Sequence, residues 1–456
     1  MTKPPSNASA HAPTQRHFFG TDGIRGVAGE APLTAEFAFQ VGIAAAEALR
    51  DAGKHAPSVL IGSDTRRSGP MLAYALSAGL ASRGAEAVGL GVIPTPGVSY
   101  LARQLGADAG IVISASHNPY RDNGIKFFDA RGEKLSDVLE ADIESYLDKL
   151  DALTPVTGDA VGVVRRHNRL ENSDYFDFLV AHGPDLSGLR IGLDCANGAS
   201  YALAPEVFEA LGADVHTICA EPDGININMD CGSTHPESIK QHVIRHTLDL
   251  GVTFDGDADR VLLVDRCGRL VSGDHMLAIC ALHRDERAVV STIMGNLGLE
   301  HYLAERGVTL LRSAVGDRYV HELLRQEDLT LGGEQSGHLL FLDRAPTGDG
   351  ILSALQTLAA TQALDKPLET WVDDIPMYPQ TLLNVPVEPS LKASLADHQS
   401  VRQAVEEAAL RLEGQGRINL RPSGTEALVR VMVEGQDQDL IEAVAKDVAS
   451  VVENAA

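Results

Sequence analysis

The sequence predicts a multidomain α/β protein: three tandem α/β domains, each a βαβ-based mixed sheet, followed by a C-terminal α+β domain. Length is the first reason, because 456 residues exceed what one hydrophobic core serves, and about 100–200 residues per domain gives three or four. The second is a grammar used three times: apolar strand, turn, helix, a glycine-centred break and a second strand, which is how a βαβ unit reads. The third is that this grammar stops near Pro376, after which strands outnumber helices.

In chain order, the first unit is the strand Ser58–Gly62, a helix near 69–83, the break Gly84-Ala85-Glu86 and a strand near 87–93. The second is Leu189–Asp194, a helix near 201–211, Gly212-Ala213-Asp214 and a strand near 215–219. The third is Ala288–Thr292, a helix near 297–306, Gly307-Val308-Thr309 and Leu310-Leu311. The end segment predicts strands near 381–387, 416–420 and 427–433, with helices near 401–413 and 438–453. Pattern breaks at Thr154–Gly158, at 267–285 and at Asp373–Pro376 place the domains at 18–165, 166–268, 269–375 and 376–456, behind a disordered tail at 1–17.

Composition excludes several classes. Hydrophobic residues make up 44% and charged residues 22%, and the formal charge of −25 speaks against nucleic-acid binding by a basic surface. The Pro-, Ser- and Ala-rich start lacks the apolar core of a secretory signal, and no run of 18 apolar residues follows, so the expectation is a cytoplasmic protein without a membrane segment. Five cysteines (Cys195, Cys219, Cys231, Cys267, Cys280) form no CxxC pair and no zinc spacing, and their odd count does not suit a disulfide scaffold, which together suit a reducing compartment.

Four segments carry chemistry. Ile113-Ser-Ala-Ser-His-Asn-Pro119 ends the apolar run Ile111–Ile113, and Pro119 forbids helix continuation, so Ser114 is expected to be presented outward as a nucleophile with His117 and Lys126 near it. Read alone, the segment fits a Ser/Asn-rich turn whose hydroxyls cap backbone groups better than a nucleophile loop. Phe254-Asp-Gly-Asp-Ala-Asp-Arg260 sets Asp255, Asp257 and Asp259 on alternate residues of an irregular loop, a hard-cation site for Mg²⁺ joined by Ser114, with a solvated acidic turn as the alternative. A calcium loop is excluded, since position 6 is Arg260 and position 12 is Arg266 where glycine and glutamate are needed.

Gly332-Gly-Glu-Gln-Ser-Gly-His338 offers Glu334, Gln335, Ser336 and His338 to sugar hydroxyls and a proton. Arg421-Pro-Ser-Gly-Thr-Glu426 with Arg430 gives guanidiniums, hydroxyls of Ser423 and Thr425 and backbone at Gly424 for a phosphate that is held, not attacked; a plain hairpin turn is the other reading. Arg25 sits in the glycine-rich Phe19–Gly26 segment. Neither GxGxxG nor a Walker A sequence occurs, which argues against a phosphoryl group taken from ATP.

Taken together and in this order, these motifs resemble the α-D-phosphohexomutase superfamily over roughly residues 17–453. The resemblance implies four domains around a central active-site cleft, a phosphoserine at Ser114, one Mg²⁺ per subunit on Asp255, Asp257, Asp259 and Ser114, and a hexose 1,6-bisphosphate intermediate and activator. It implies a sugar loop at Glu334–His338, a phosphate loop at Arg421, Ser423, Gly424, Thr425 and Arg430, charge stabilisation by Arg25, Lys126 and Arg260, and Lys126 or His338 as general acid/base. Phe19–Gly26 and Gly332–His338 look like the branch that interconverts glucosamine 6-phosphate and glucosamine 1-phosphate in UDP-N-acetylglucosamine supply. The mannose/glucose phosphate branch commonly has methionine at the place of Gln335. Ala258 departs from a glycine common among relatives, at a position supplying no ligand side chain. A homodimer and a small sugar-phosphate partner are implied too. A sugar-phosphate-binding regulator that lost turnover is the remote alternative.

Overall fold

The computed structural model describes residues 17–20, 22–166, 173–388, 395, 398–422 and 427–455. Nearly all of the expected tail lies outside the described residues. The chain divides into two compact units, one of residues 1–270 with 338–359, the other of 271–337 with 360–456.

The first unit opens with β1 (Ile24–Val27), α1 (Ala35–Asp51), β2 (Ser58–Ser63), α2 (Gly69–Ser82), β3 (Glu86–Val92), α3 (Thr95–Gln104), β4 (Ala109–Ile113), β5 (Asp122–Asp129), α4 (Asp137–Leu147) and β6 (Val164–Arg166). Their sheet runs β1-β5-β4-β2-β3-β6. β2 is parallel to β3 and β4, while β5 is antiparallel to β4 and β1, so the sheet is mixed as expected. The central strands are buried throughout, as near-continuous apolar runs such as Ala109–Ile113 require when helices cover both faces. Thr34 caps α1 by accepting from Phe37 N at 3.1 Å.

The same unit continues with α5 (Ser173–Ala181), β7 (Arg190–Asp194), α6 (Leu203–Ala210), β8 (Asp214–Ile218), α7 (Glu237–His246), β9 (Leu250–Phe254) and β10 (Val261–Asp265). β7 is parallel to β8 and β9, and β10 pairs antiparallel with β9 in the register Val261↔Phe254. That hairpin holds Asp255–Arg260 in its connection. β11 (Leu270–Val271) is a two-residue edge strand.

The second unit contains α8 (Gly273–His283), β12 (Ala288–Thr292), α9 (Leu297–Ala304), β13 (Thr309–Ser313), α10 (Asp317–Gln326) and β14 (Leu331–Gly333), with β12 parallel to both β13 and β14. After β15 (Leu339–Phe341), α11 (Gly350–Ala363) and α12 (Leu368–Asp374) come β16 (Gln380–Pro386), α13 (Gln399–Arg411), β17 (Gly416–Pro422), β18 (Leu428–Gly435) and α14 (Gln438–Ala455). These last strands form an all-antiparallel β16-β18-β17 sheet against α13 and α14, around a core of Val401, Val431, Val444 and Val448. The fold is thus α/β with a C-terminal α+β segment, and the strands and helices expected there appear within a few residues.

Candidate active site

The loop between β4 and β5 and the loop between β9 and β10 meet inside the first unit. Gly256 makes that approach possible, since a Cβ there would lie 2.5 Å from the Ser116 carbonyl oxygen and 2.7 Å from Asn228 Nδ2. Asp255, Asp257 and Asp259 are all buried, and one carboxylate oxygen from each lies within 4.8 Å of the others.

The two serines of the β4–β5 loop have different surroundings, and here the expectation for Ser114 is corrected. Ser114 is fully buried, not presented outward; its Oγ donates to Asp64 Oδ2 at 2.6 Å and accepts from Ser116 N at 2.9 Å. The hydroxyl that reaches the acidic cluster belongs to Ser116, whose Oγ donates to Asp255 Oδ2 at 2.6 Å and lies 3.5 Å from His117 Nδ1. The cause is local: Ser116 has φ 53°. This left-handed conformation ends the strand alternation and turns Ser116 towards the β9–β10 loop.

Arg66 holds this loop in place. Its side chain is 0% exposed and its five N–H groups all find acceptors: Nε donates to Asp64 Oδ2 at 2.8 Å, Nη2 to the carbonyls of Ser116 at 2.8 Å and Asn118 at 2.9 Å, and Nη1 to those of Asp122 at 2.9 Å and Pro119. Asn228 Nδ2 donates to the same Ser116 and Asn118 carbonyls at 2.9 and 3.1 Å.

The cluster's electrostatics are uneven. Burial and the neighbouring Asp259 and Asp257 push the Asp255 carboxyl well above its ordinary range. At Asp257 burial acts upward too, but Lys126 and the Thr95 hydroxyl outweigh it and hold the carboxyl low. Lys126 Nζ donates to Asp257 Oδ2 at 2.9 Å and lies 3.1 Å from Asp22 and 3.8 Å from Asp259. Burial alone would discharge this ammonium, but Asp22, Asp257 and Asp259 raise it above its ordinary value. Lys126 is therefore held as an ammonium in this arrangement.

His117 is the opposite case. Burial, with Arg260 and Arg25 adding like charge, brings it down to about 4, so the imidazole is neutral at neutral pH. Arg260 Nη1 lies 3.1 Å from His117 Nδ1, and since arginine only donates, Nδ1 accepts. Arg25 pairs with Asp22. Two carboxylate oxygens, Asp257 Oδ1 and Asp259 Oδ1, are buried without a hydrogen bond. Three converging carboxylates with free oxygens are the donor set a hard divalent cation takes.

His338 also belongs to the first unit, buried, with its ring where a Gly348 Cβ would come within 1.8 Å. In the second unit, Glu334 Oε1 accepts from Gly316 N at 3.0 Å, Ser336 Oγ donates to Glu334 Oε2 at 3.2 Å, and the Gln335 carbonyl accepts from Gly273 N at 3.0 Å. Arg421 faces Arg430 across β17 and β18, and burial together with Arg430 lowers its guanidinium from the usual value. Ser423, Gly424 and Thr425 lie outside the described residues.

Asp64, Arg66, Thr95, Ser116 and Asn228 were missed as functional candidates. Asp64 and Arg66 had one legible signal: Ser63-Asp-Thr-Arg66 follows the C-terminal end of a parallel strand, where α/β folds place their functional loops.

Models of phosphoglucomutase/phosphomannomutase α/β/α domain I, domain II, domain III and the C-terminal domain match residues 16–154, 173–268, 272–378 and 382–451. A phosphoglucosamine mutase of Deinococcus deserti is 57% identical over 440 residues, covering 96% of this chain and 99% of that protein. One from Thermus thermophilus is 52% identical over 422 residues, covering 92% and 94%. Among solved structures, a phosphoglucomutase/phosphomannomutase family protein from Burkholderia thailandensis superposes with a TM-score of 0.81 at 24% identity, covering 96% of this chain and 97% of its own. An Aspergillus fumigatus N-acetylphosphoglucosamine mutase, in complex with GlcNAc-6P and magnesium, gives 0.68 at 19% identity, covering 97% and 96%.

Proposed function

The chain belongs to the phosphoglucomutase/phosphomannomutase family, and from that premise we propose that it interconverts glucosamine 6-phosphate and glucosamine 1-phosphate through a phosphoserine at Ser116 and a glucosamine 1,6-bisphosphate intermediate. The observation that carries the mechanism is the Ser116 hydroxyl on Asp255, 2.6 Å away, in a loop that Arg66 fixes from behind. The amino-sugar substrate rests on the relatives at 57% and 52% identity.

With Ser116 phosphorylated, the free hydroxyl of the sugar monophosphate attacks phosphorus, the Oγ–P bond breaks, and the sugar's proton ends on Ser116 Oγ. The bisphosphate turns round and the same exchange runs backwards from its other phosphate. Asp255, Asp257 and Asp259, with Ser116, would hold one Mg²⁺, which when bound offsets charge on the transferring group. Lys126, Arg260 and Arg25 add fixed positive charge on the same side. Proton transfer is assigned to Lys126 or His338, with the neutral imidazole of His117 beside them. Glu334, Gln335 and Ser336 are assigned to sugar recognition, and Arg421 and Arg430, with the 423–425 segment, to holding the second phosphate.

A cytoplasmic homodimer completes the proposal. No described helix is long and apolar enough to cross a membrane. Separation into four domains at the boundaries expected from sequence is supported by the four matched segments.

The test is to incubate the protein with glucose 1,6-bisphosphate and map phosphate by mass spectrometry. Label on Ser116 that survives Ser114→Ala and vanishes in Ser116→Ala is expected; label on Ser114 would refute the assignment. Steady-state kcat/KM for glucosamine 6-phosphate, mannose 6-phosphate and glucose 6-phosphate then tests the substrate. Equal rates would leave the mechanism and reject the amino-sugar preference.

A further inference from the structure

A second cluster in the first unit plays no part in this chemistry. Asp194 at the end of β7, Cys219 just past β8 and Cys231 each place a ligand atom within 4.8 Å of the others. Asp194 is 0% and Cys231 1% exposed, while Cys219 is half-buried and opens the group to solvent. The carboxylate is oriented by the backbone: Asp194 Oδ1 accepts from Ala196 N at 2.9 Å, and Oδ2 from Gly232 N at 2.9 Å and Ser238 Oγ at 3.1 Å. The loop is tied from below, where Asn197 N donates to the Cys219 carbonyl and Asn197 Nδ2 lies 4.0 Å from Cys231 Sγ.

We propose that Asp194, Cys219 and Cys231 form a binding site for a thiophilic divalent cation of the Zn²⁺ class, separate from the oxygen-only cluster at Asp255–Asp259. Two sulfurs and one carboxylate match the ligand preferences of such an ion, as three hard carboxylates match Mg²⁺. The amide hydrogen bonds to Asp194 are the supporting shell that fixes a carboxylate ligand in orientation. Binding forms two metal–sulfur bonds and one metal–oxygen bond and releases the two thiol protons to solvent, so affinity rises with pH. Three protein ligands leave a fourth position for water.

The site has a mechanical consequence. Cys219 and Cys231 bracket the segment carrying Asn226 and Asn228; Asn226 is bonded to Asn197 and Glu221, and Asn228 braces the Ser116 and Asn118 carbonyls. A cation joining the two cysteines closes the base of the segment that supports the Ser116 loop.

The full chain, stripped of metal, reduced with a phosphine and saturated with Mg²⁺ to occupy the carboxylate cluster, is titrated with Co²⁺ as the optical probe. One equivalent giving a thiolate-to-cobalt charge-transfer band, displaced by Zn²⁺, is expected. Cys219→Ser and Cys231→Ser should each weaken binding by about tenfold or more, and Cys267→Ser should leave it unchanged. No charge-transfer band, or one that persists in both serine variants, overturns the proposal; so does a Cys219–Cys231 disulfide with no Co²⁺ band in the reduced protein. Where the serine variants fail to fold, alkylation of wild-type Cys219 decides: protection by Zn²⁺ supports the site, and an unchanged rate overturns it.

Discussion

Replacing Arg66 with lysine keeps the charge and removes the fork. Lysine brings three donors on one atom, where Arg66 serves Asp64 and four carbonyls at once. The Ser116 and Asn118 carbonyls keep Asn228 Nδ2 as a donor and the Pro119 carbonyl keeps Asp122 N at 3.1 Å, so the Asp122 carbonyl is the one left wanting. One half-buried acceptor losing its donor predicts a loss of about 1–3 kcal/mol. Loop displacement should also lower kcat, since a misplacement of about 1 Å costs about 100-fold, while KM changes little because the residues assigned to the sugar and its second phosphate are elsewhere. Urea unfolding and steady-state kinetics on Arg66→Lys read both effects, and phosphate occupancy of Ser116 reads a third. A loss below about 1 kcal/mol with wild-type kcat would refute the idea that this guanidinium organises the site.

Lys126→Met leaves the buried Asp257 without its cation, while Asp22 keeps Arg25 and Lys134 and Asp259 keeps Arg260, and should destabilise the metal-free protein by about 3–5 kcal/mol; equal unfolding midpoints for variant and wild type would contradict this. Mg²⁺ at about 100 times its dissociation constant should stabilise the protein by about 2.7 kcal/mol, and Asp257→Asn should remove most of that gain in thermal scans. Burial pushes the Asp349 carboxyl, which accepts from the Tyr175 hydroxyl at 2.8 Å, up to about 6. Its folded form binds the proton more tightly than the unfolded chain does, so stability falls as pH rises from about 4 to about 6, by about 3 kcal/mol. Asp349→Asn should remove that slope, measured as unfolding free energies at either end of the window. His117→Gln should abolish any acid limb near pH 4 in the kcat profile; an unmoved limb would remove His117 from proton transfer.

Much of this was written in local sequence. The βαβ strands announce themselves as apolar runs because both faces of a parallel sheet are covered, and Asp255-Gly-Asp257-Ala-Asp259 marks a candidate cation site because alternate carboxylates in a tight loop call for a counter-charge. The sequence could not say which serine faces that cluster. Ser114 and Ser116 are two residues apart and chemically alike, and the difference lies in a single left-handed φ at Ser116 together with acceptors supplied from elsewhere in the chain, Asp64 for one and Asp255 for the other. Nor could it say that Lys126 is locked as a cation, because its partners Asp22, Asp257 and Asp259 lie 104, 131 and 133 residues away along the chain and only burial makes their charges count. Local pattern determined the elements and the donor types, since period and turn chemistry act over a few residues. Tertiary structure decided which donors meet, since hydrogen-bond partners and burial are set by long-range packing.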